Sequence, residues 1–130
     1  MTTPIWLDRI AVELLHAESL ATHGGLPGLR DEGLFESALA RPQNVHAYEG
    51  VTDIFELAAW YGVALAKNHP FNDGNKRIAF ISALVFAGLN GFRIVADQAD
   101  AAIIMMAVAD GSVVQPQLAA WLRQHGVASS

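Results

Sequence analysis

The chain has 130 residues, 52% of them apolar, enough for one compact domain with its own core and too few for two. Eight Lys and Arg against thirteen Asp and Glu leave a net charge of −5, so no basic field exists to hold a phosphodiester backbone, and direct nucleic-acid binding is not expected. There is no cysteine, no basic and apolar leader at the amino end, and no apolar run near the ~20 residues a membrane span needs, which together predict a soluble cytoplasmic protein without disulfides or thiolate metal sites.

Apolar residues recur every three or four positions rather than alternating, which predicts an all-α fold of about six helices over residues 1–130. Asp8 can cap a first helix through about Ala21, with Ile10, Leu14, Ala17 and Ala21 on one face, stopped by His23-Gly24-Gly25. A Gly/Pro-rich loop, Gly24 to Leu29, leads to Asp31, the cap of a second helix that carries Leu34, Phe35, Ala38 and Leu39 and ends at Pro42. Thr52 or Asp53 opens a third, where Asp53 and Glu56 have capping-box spacing and Leu57, Trp60, Tyr61, Ala64 and Leu65 form a wide apolar stripe. That helix breaks at Asn68-His69-Pro70, and the turn-forming run Asn72-Asp73-Gly74-Asn75 precedes a nearly uncharged helix from Asn75 to Leu89, ended by Asn90-Gly91. Phe92 to Val95 reads as extended. Asp97 caps a helix through Ala109 that Gly111 closes, and a last helix starts near Pro116, carries Leu118, Trp121 and Leu122, and ends at Gly126 before a polar tail expected to fray.

One stretch is not explained by core formation: HPFNDGNKR, His69 to Arg77, between the two most apolar helices. It ends by opening a helix, whose unpaired N–H groups and partial positive charge hold anions well. Gly74 lets backbone approach a ligand. Lys76 and Arg77 add cations in a first turn where the helix dipole disfavours them, and such broken local rules tend to mark functional sites. Around a phosphate-binding turn, His69 suits a general base and Asp73 suits Mg²⁺, which takes one or two carboxylates together with substrate phosphates. Taken alone, Asp73 could instead be the cap of the following helix.

The nine residues HPFNDGNKR resemble the signature HxFx(D/N/E)(G/A)N(G/K)R of the Fic/Doc family, and the stretch Gly24 to Asp31 with Leu39-Ala40-Arg41-Pro42 is similar to the amino-terminal region of its Doc-type (death-on-curing) toxins. The resemblance implies a Fic/Doc-like helical domain with the active loop between two central helices. It implies that His69 activates an acceptor hydroxyl, Asp73 holds Mg²⁺, Gly74, Asn75, Lys76 and Arg77 bind the phosphates of ATP, and Phe71 anchors the loop to the core. Where AMP-transferring members carry a glycine and a second arginine, this chain has Lys76 and Phe80. Doc-type members share that pattern, which implies reversed ATP, transfer of the γ-phosphoryl group to a Ser or Thr hydroxyl, and elongation factor Tu as the target. Nucleotidyl transfer and a non-catalytic binding module are the alternative readings. No (S/T)xxxE(G/N) inhibitory helix is present, since neither Glu32-Gly33 nor Glu49-Gly50 has Ser or Thr four residues before its glutamate, so inhibition is expected in trans from a Phd-type antitoxin that folds on binding.

The remaining histidines, His16, His23, His46 and His125, show no metal-ligand spacing and read as surface or loop residues. Met105, Met106, Trp6, Trp60 and Trp121 read as core. Arg30 is ambiguous between a structural ion pair and a wall of a binding cleft.

Overall fold

Asp8, Asp31, Asp53 and Asp97 all sit in extended backbone and accept a hydrogen bond from the N–H three residues on, at Ala11, Leu34, Glu56 and Asp100. Each such cap satisfies a donor that the helix itself leaves unpaired and stabilises it by about 1 kcal/mol. They open α1 (Arg9–His23), α2 (Glu32–Glu49), α3 (Ile54–Asn68) and α5 (Gln98–Ala109). α4 (Asn75–Leu89) opens at Gly74 instead, and α6 (Gln115–His125) opens with Pro116 in its first turn. The computed structural model describes residues 3–129, which form an all-α fold apart from one short strand pair. No helix among the described residues is long and apolar enough to cross a membrane.

α3 is the central element, with eight residues buried, among them Leu57, Tyr61 and Leu65, and it packs against α2, α4 and α6. Gly62 admits α6 at close range: a β-carbon there would stand 2.9 Å from Leu118 Cδ2. The buried hydroxyl of Tyr61 accepts the Leu7 N–H at 3.1 Å, and burial pushes its phenol up to about 12. α4 lies beside α3 and buries Ile78, Ala79, Ala83, Phe86 and Ala87. The end of α3 and the start of α4 therefore meet in the core with only His69 to Gly74 between them, and this fixes both sides of the HPFNDGNKR turn.

The structure corrects four expectations. The second helix does not end at Pro42 but runs to Glu49, because Pro42 and Val45 are both buried in the core. A proline inside a helix costs about 3 kcal/mol, and burial of the apolar side chains on the final turns offsets it. On α1 the apolar face of Ile10 and Leu14 is turned outward rather than inward: Ile10 is 69% and Leu14 66% exposed, while Val12, His16 and Ser19 are buried. The capping box on α3 is only half made, since the Glu56 carboxylate accepts from Gln115 Nε2 at 2.8 Å, tying α3 to α6. Finally the tail pairs rather than frays: β1 (Phe92–Ile94) lies antiparallel to β2 (Gly126–Ala128), with Phe92 opposite Ala128. Glycine at 126 lets this strand cross the Phe55 ring, whose Cε1 a β-carbon would approach to 2.5 Å.

Candidate active site

The turn between α3 and α4 is built from its backbone inward. α3 stops because His69 adopts left-handed backbone, φ 53°, with its N–H still donating to Leu65 O at 3.2 Å. Pro70 and Phe71 then turn into the core. The Phe71 ring, 2% exposed, stacks on His16 with centroids 3.7 Å apart and tilts against Phe35 at 5.1 Å, so it is the anchor that the sequence implied. Asn75 closes the turn, its carboxamide accepting from Phe71 N and donating to Phe71 O, both at 2.9 Å. The side chain is 3% exposed and committed to the turn, so what Asn75 chiefly presents to a ligand is its backbone N–H at the helix start.

The Gly/Pro-rich loop after α1 docks onto the same turn. Asn72 N–H donates to Gly28 O, Asn72 Nδ2 donates to Pro27 O, and Leu29 bridges Phe71. Asp73 Oδ2 accepts from Leu26 N–H at 3.1 Å and Oδ1 from Gly74 N–H at 2.9 Å. These two N–H groups hold the Asp73 carboxyl below the usual carboxylate range, with a smaller contribution from the nearby His16 ring. Asp73 is thus not the cap of α4. The cap position is Gly74, left-handed at φ 74°, and no side chain caps α4 among the described residues. A side chain at Gly74 would press on Leu20 Cδ2 at 3.3 Å and His16 Nε2 at 3.5 Å, so glycine is needed here for packing on α1 as well as for its backbone angle.

What results is a cleft of about 330 Å³ lined by His69, Asn72, Asp73, Gly74, Asn75, Lys76, Arg77, Met105 and Met106. All six residues singled out in the sequence for catalysis, metal or phosphate face this one space. His69 is its imidazole and Asp73 its carboxylate. Lys76 is exposed, its Nζ 3.5 Å from Met106 Sδ, and neither Lys76 nor Arg77 joins an ion pair among the described residues. Two cations without carboxylate partners beside an uncapped helix start make an anion site by elementary electrostatics.

Three residues at or beside this cleft were misread in the sequence, His16, Met105 and Met106, and a fourth, Arg30, was left open between two readings. His16 is not a surface residue: it is 4% exposed, and its Nε2 donates to the Asp73 carbonyl at 2.8 Å, which a carbonyl permits only if that nitrogen carries hydrogen. Met105 and Met106 are not core, since both line the cleft and Met106 is 54% exposed. Arg30 makes no ion pair among the described residues; Nε donates to His69 O at 2.7 Å and Nη2 to Asn68 O at 3.0 Å. His46 and His125 are half-buried and donate to the carbonyls of Val51 and Trp121, which leaves His23 as the exposed histidine of the four. Trp6 packs on the core ahead of α1, stacked on Phe86, and Phe80 packs edge-on against Trp121.

Residues 6–87 match the Fic/DOC family, a stretch that holds α1 to α3, the whole turn and all but the last two residues of α4. The chain is 41% identical over 110 residues to "Protein kinase doc" of Escherichia phage P1, covering 85% of this chain and 86% of that protein. It is 40% identical over 93 residues to "Toxin Doc" of Mycolicibacterium smegmatis, covering 71% of this chain and 69% of that protein.

Proposed function

The chain belongs to the Fic/DOC family, and from that premise we propose that it is a Doc toxin that transfers the γ-phosphoryl group of ATP to a Ser or Thr hydroxyl of a target protein. The observation that carries this reading is the uncapped amino end of α4, flanked by Lys76 and Arg77, in one cleft with His69 and Asp73. The names of the two relatives, a kinase and a toxin, point the same way.

In this mechanism the backbone N–H groups at the start of α4, with Lys76 and Arg77, hold the phosphate chain and take up charge as it develops. His69 accepts the proton of the acceptor hydroxyl as its oxygen bonds to the γ-phosphorus. The bond from that phosphorus to the β–γ bridging oxygen breaks, and ADP leaves with the electron pair. General-base action is worth about 10²–10⁴-fold, roughly 3–5 kcal/mol, so positioning and charge stabilisation supply the rest. Asp73 fits Mg²⁺: each carboxylate oxygen accepts a single N–H and keeps a lone pair, and the group faces the cleft. Bound there, the ion would neutralise phosphate charge.

Lys76 and the absence of an arginine at Phe80 favour phosphoryl over nucleotidyl transfer, because a lysine side chain fills space that distal phosphates would otherwise occupy. The acceptor to test first is elongation factor Tu, a cytoplasmic protein whose modification would arrest translation. Inhibition would come in trans from a Phd-type antitoxin. The deciding experiment incubates the chain with Mg²⁺, elongation factor Tu and ATP labelled at the γ or the α position. Transfer of γ label, lost in His69→Ala, supports the kinase; transfer of α label makes it a nucleotidyltransferase. Growth arrest that survives His69→Ala would instead make it a non-catalytic binding module.

A further inference from the structure

Among the described residues, His69 is the single non-glycine residue with positive φ. Left-handed backbone at a residue with a β-carbon costs about 1–3 kcal/mol and persists only where the surroundings fix it. Here the fixing groups come mainly from the segment that opens α2. The Pro70 carbonyl accepts the N–H groups of Arg30 at 2.7 Å and Asp31 at 3.1 Å. The Arg30 guanidinium then spans two successive carbonyls, His69 O at 2.7 Å and Asn68 O at 3.0 Å. Both belong to the end of a helix, where carbonyls have no intrahelical partner and a partial negative charge gathers. A planar fork suits two adjacent acceptors in a way that a single ammonium does not. Arg30 itself does not line the cleft.

We infer that Arg30 is a positioning residue for His69. Its guanidinium fixes the peptide that follows the His69 α-carbon, and through it the direction in which the imidazole enters the cleft. Without the fork, the backbone at His69 can relax out of the left-handed region, and the ring turns with it. The inference rests on the proposed role of His69 as proton acceptor, and a displacement of about 1 Å in such a group lowers turnover by up to ~10²-fold. A residue that merely capped α3 would act on stability and leave turnover of the folded enzyme alone.

The test compares the full chain with Arg30→Ala and Arg30→Lys in the γ-label assay, together with thermal unfolding and the ¹³Cα and ¹³Cβ shifts of His69, which report a positive φ. The expected result for Arg30→Ala is a fall in kcat of about tenfold or more, a KM for ATP within about twofold, and His69 shifts that leave the positive-φ range. Arg30→Lys recovers part of the kcat. Unchanged kcat in Arg30→Ala, or a loss of activity accounted for by the unfolded fraction, overturns the inference. Absence of any label transfer by the wild type defeats the kinase reading instead. In that event the His69 shifts still decide whether Arg30 holds this backbone, and shifts identical in wild type and Arg30→Ala end the inference.

Discussion

The carboxamide of Asn75 and the peptide of Phe71 exchange two hydrogen bonds, so that one buried side chain does for the turn what a strand partner does for a strand. Both Phe71 groups lie out of reach of water beside a 2% exposed ring. Asn75→Ala leaves a donor and an acceptor unpaired, at about 1–3 kcal/mol each. Urea unfolding should show a loss of that size, with Asn75→Asp intermediate because it keeps the acceptor. A cost below about 1 kcal/mol for the alanine variant would show that water reaches the turn.

His16 combines two contacts that substitution can separate. His16→Phe keeps a ring on Phe71 and loses the donor to the Asp73 carbonyl, whereas His16→Gln keeps a donor and loses the ring. If Asp73 holds Mg²⁺, the phenylalanine variant should need about tenfold more Mg²⁺ for label transfer. The glutamine variant should show the larger drop in thermal stability. Equal Mg²⁺ dependence in wild type and His16→Phe would reduce His16 to a packing residue.

Asp73 gives the fold an acid-side dependence whose sign follows from its shift. Its carboxyl is depressed from 3.8 by the Leu26 and Gly74 N–H groups, so the stability it contributes is present above that value and lost as pH falls through its own lower one. Asp73→Asn should therefore be less stable than wild type near about pH 6 and converge with it in stronger acid. Parallel curves from urea midpoints across that range would contradict the assignment.

Tyr61 sets the opposite limb. Its phenol is raised from 10.0 to about 12, so the stability tied to its proton is complete below pH 10.0 and drains as pH climbs toward 12. Tyr61→Phe should lack that alkaline slope, yet be less stable at neutral pH by about 1–3 kcal/mol because the Leu7 N–H loses its acceptor. Persistence of the full alkaline slope in the phenylalanine variant would assign it to another group.

Helix starts were legible in the sequence because capping is local: Asp8, Asp31, Asp53 and Asp97 bond three residues along the chain, a spacing visible in the letters. The cleft residues were legible for the same reason, all but the methionines falling within His69 to Arg77. What escaped depends on distance. His16 meets Asp73 across 57 positions and Arg30 meets His69 across 39, so neither histidine spacing nor charge pattern reveals them. Burial of His16 also sets which side of α1 faces inward, against the more apolar Ile10 and Leu14. Pro42 was misjudged because its burial is supplied by neighbouring helices, and the tail because β1 lies more than thirty residues before its partner β2.

The docking of Leu26, Pro27 and Gly28 on Asn72 and Asp73 makes the nine-residue signature non-portable. A peptide carrying those nine letters, or a fragment beginning at α3, keeps every reactive side chain and loses the scaffold that aims them. A truncation that removes Leu26 to Gly28 therefore leaves Asp73 Oδ2 without its Leu26 partner and Asn72 without both of its loop carbonyls, although the nine letters are intact.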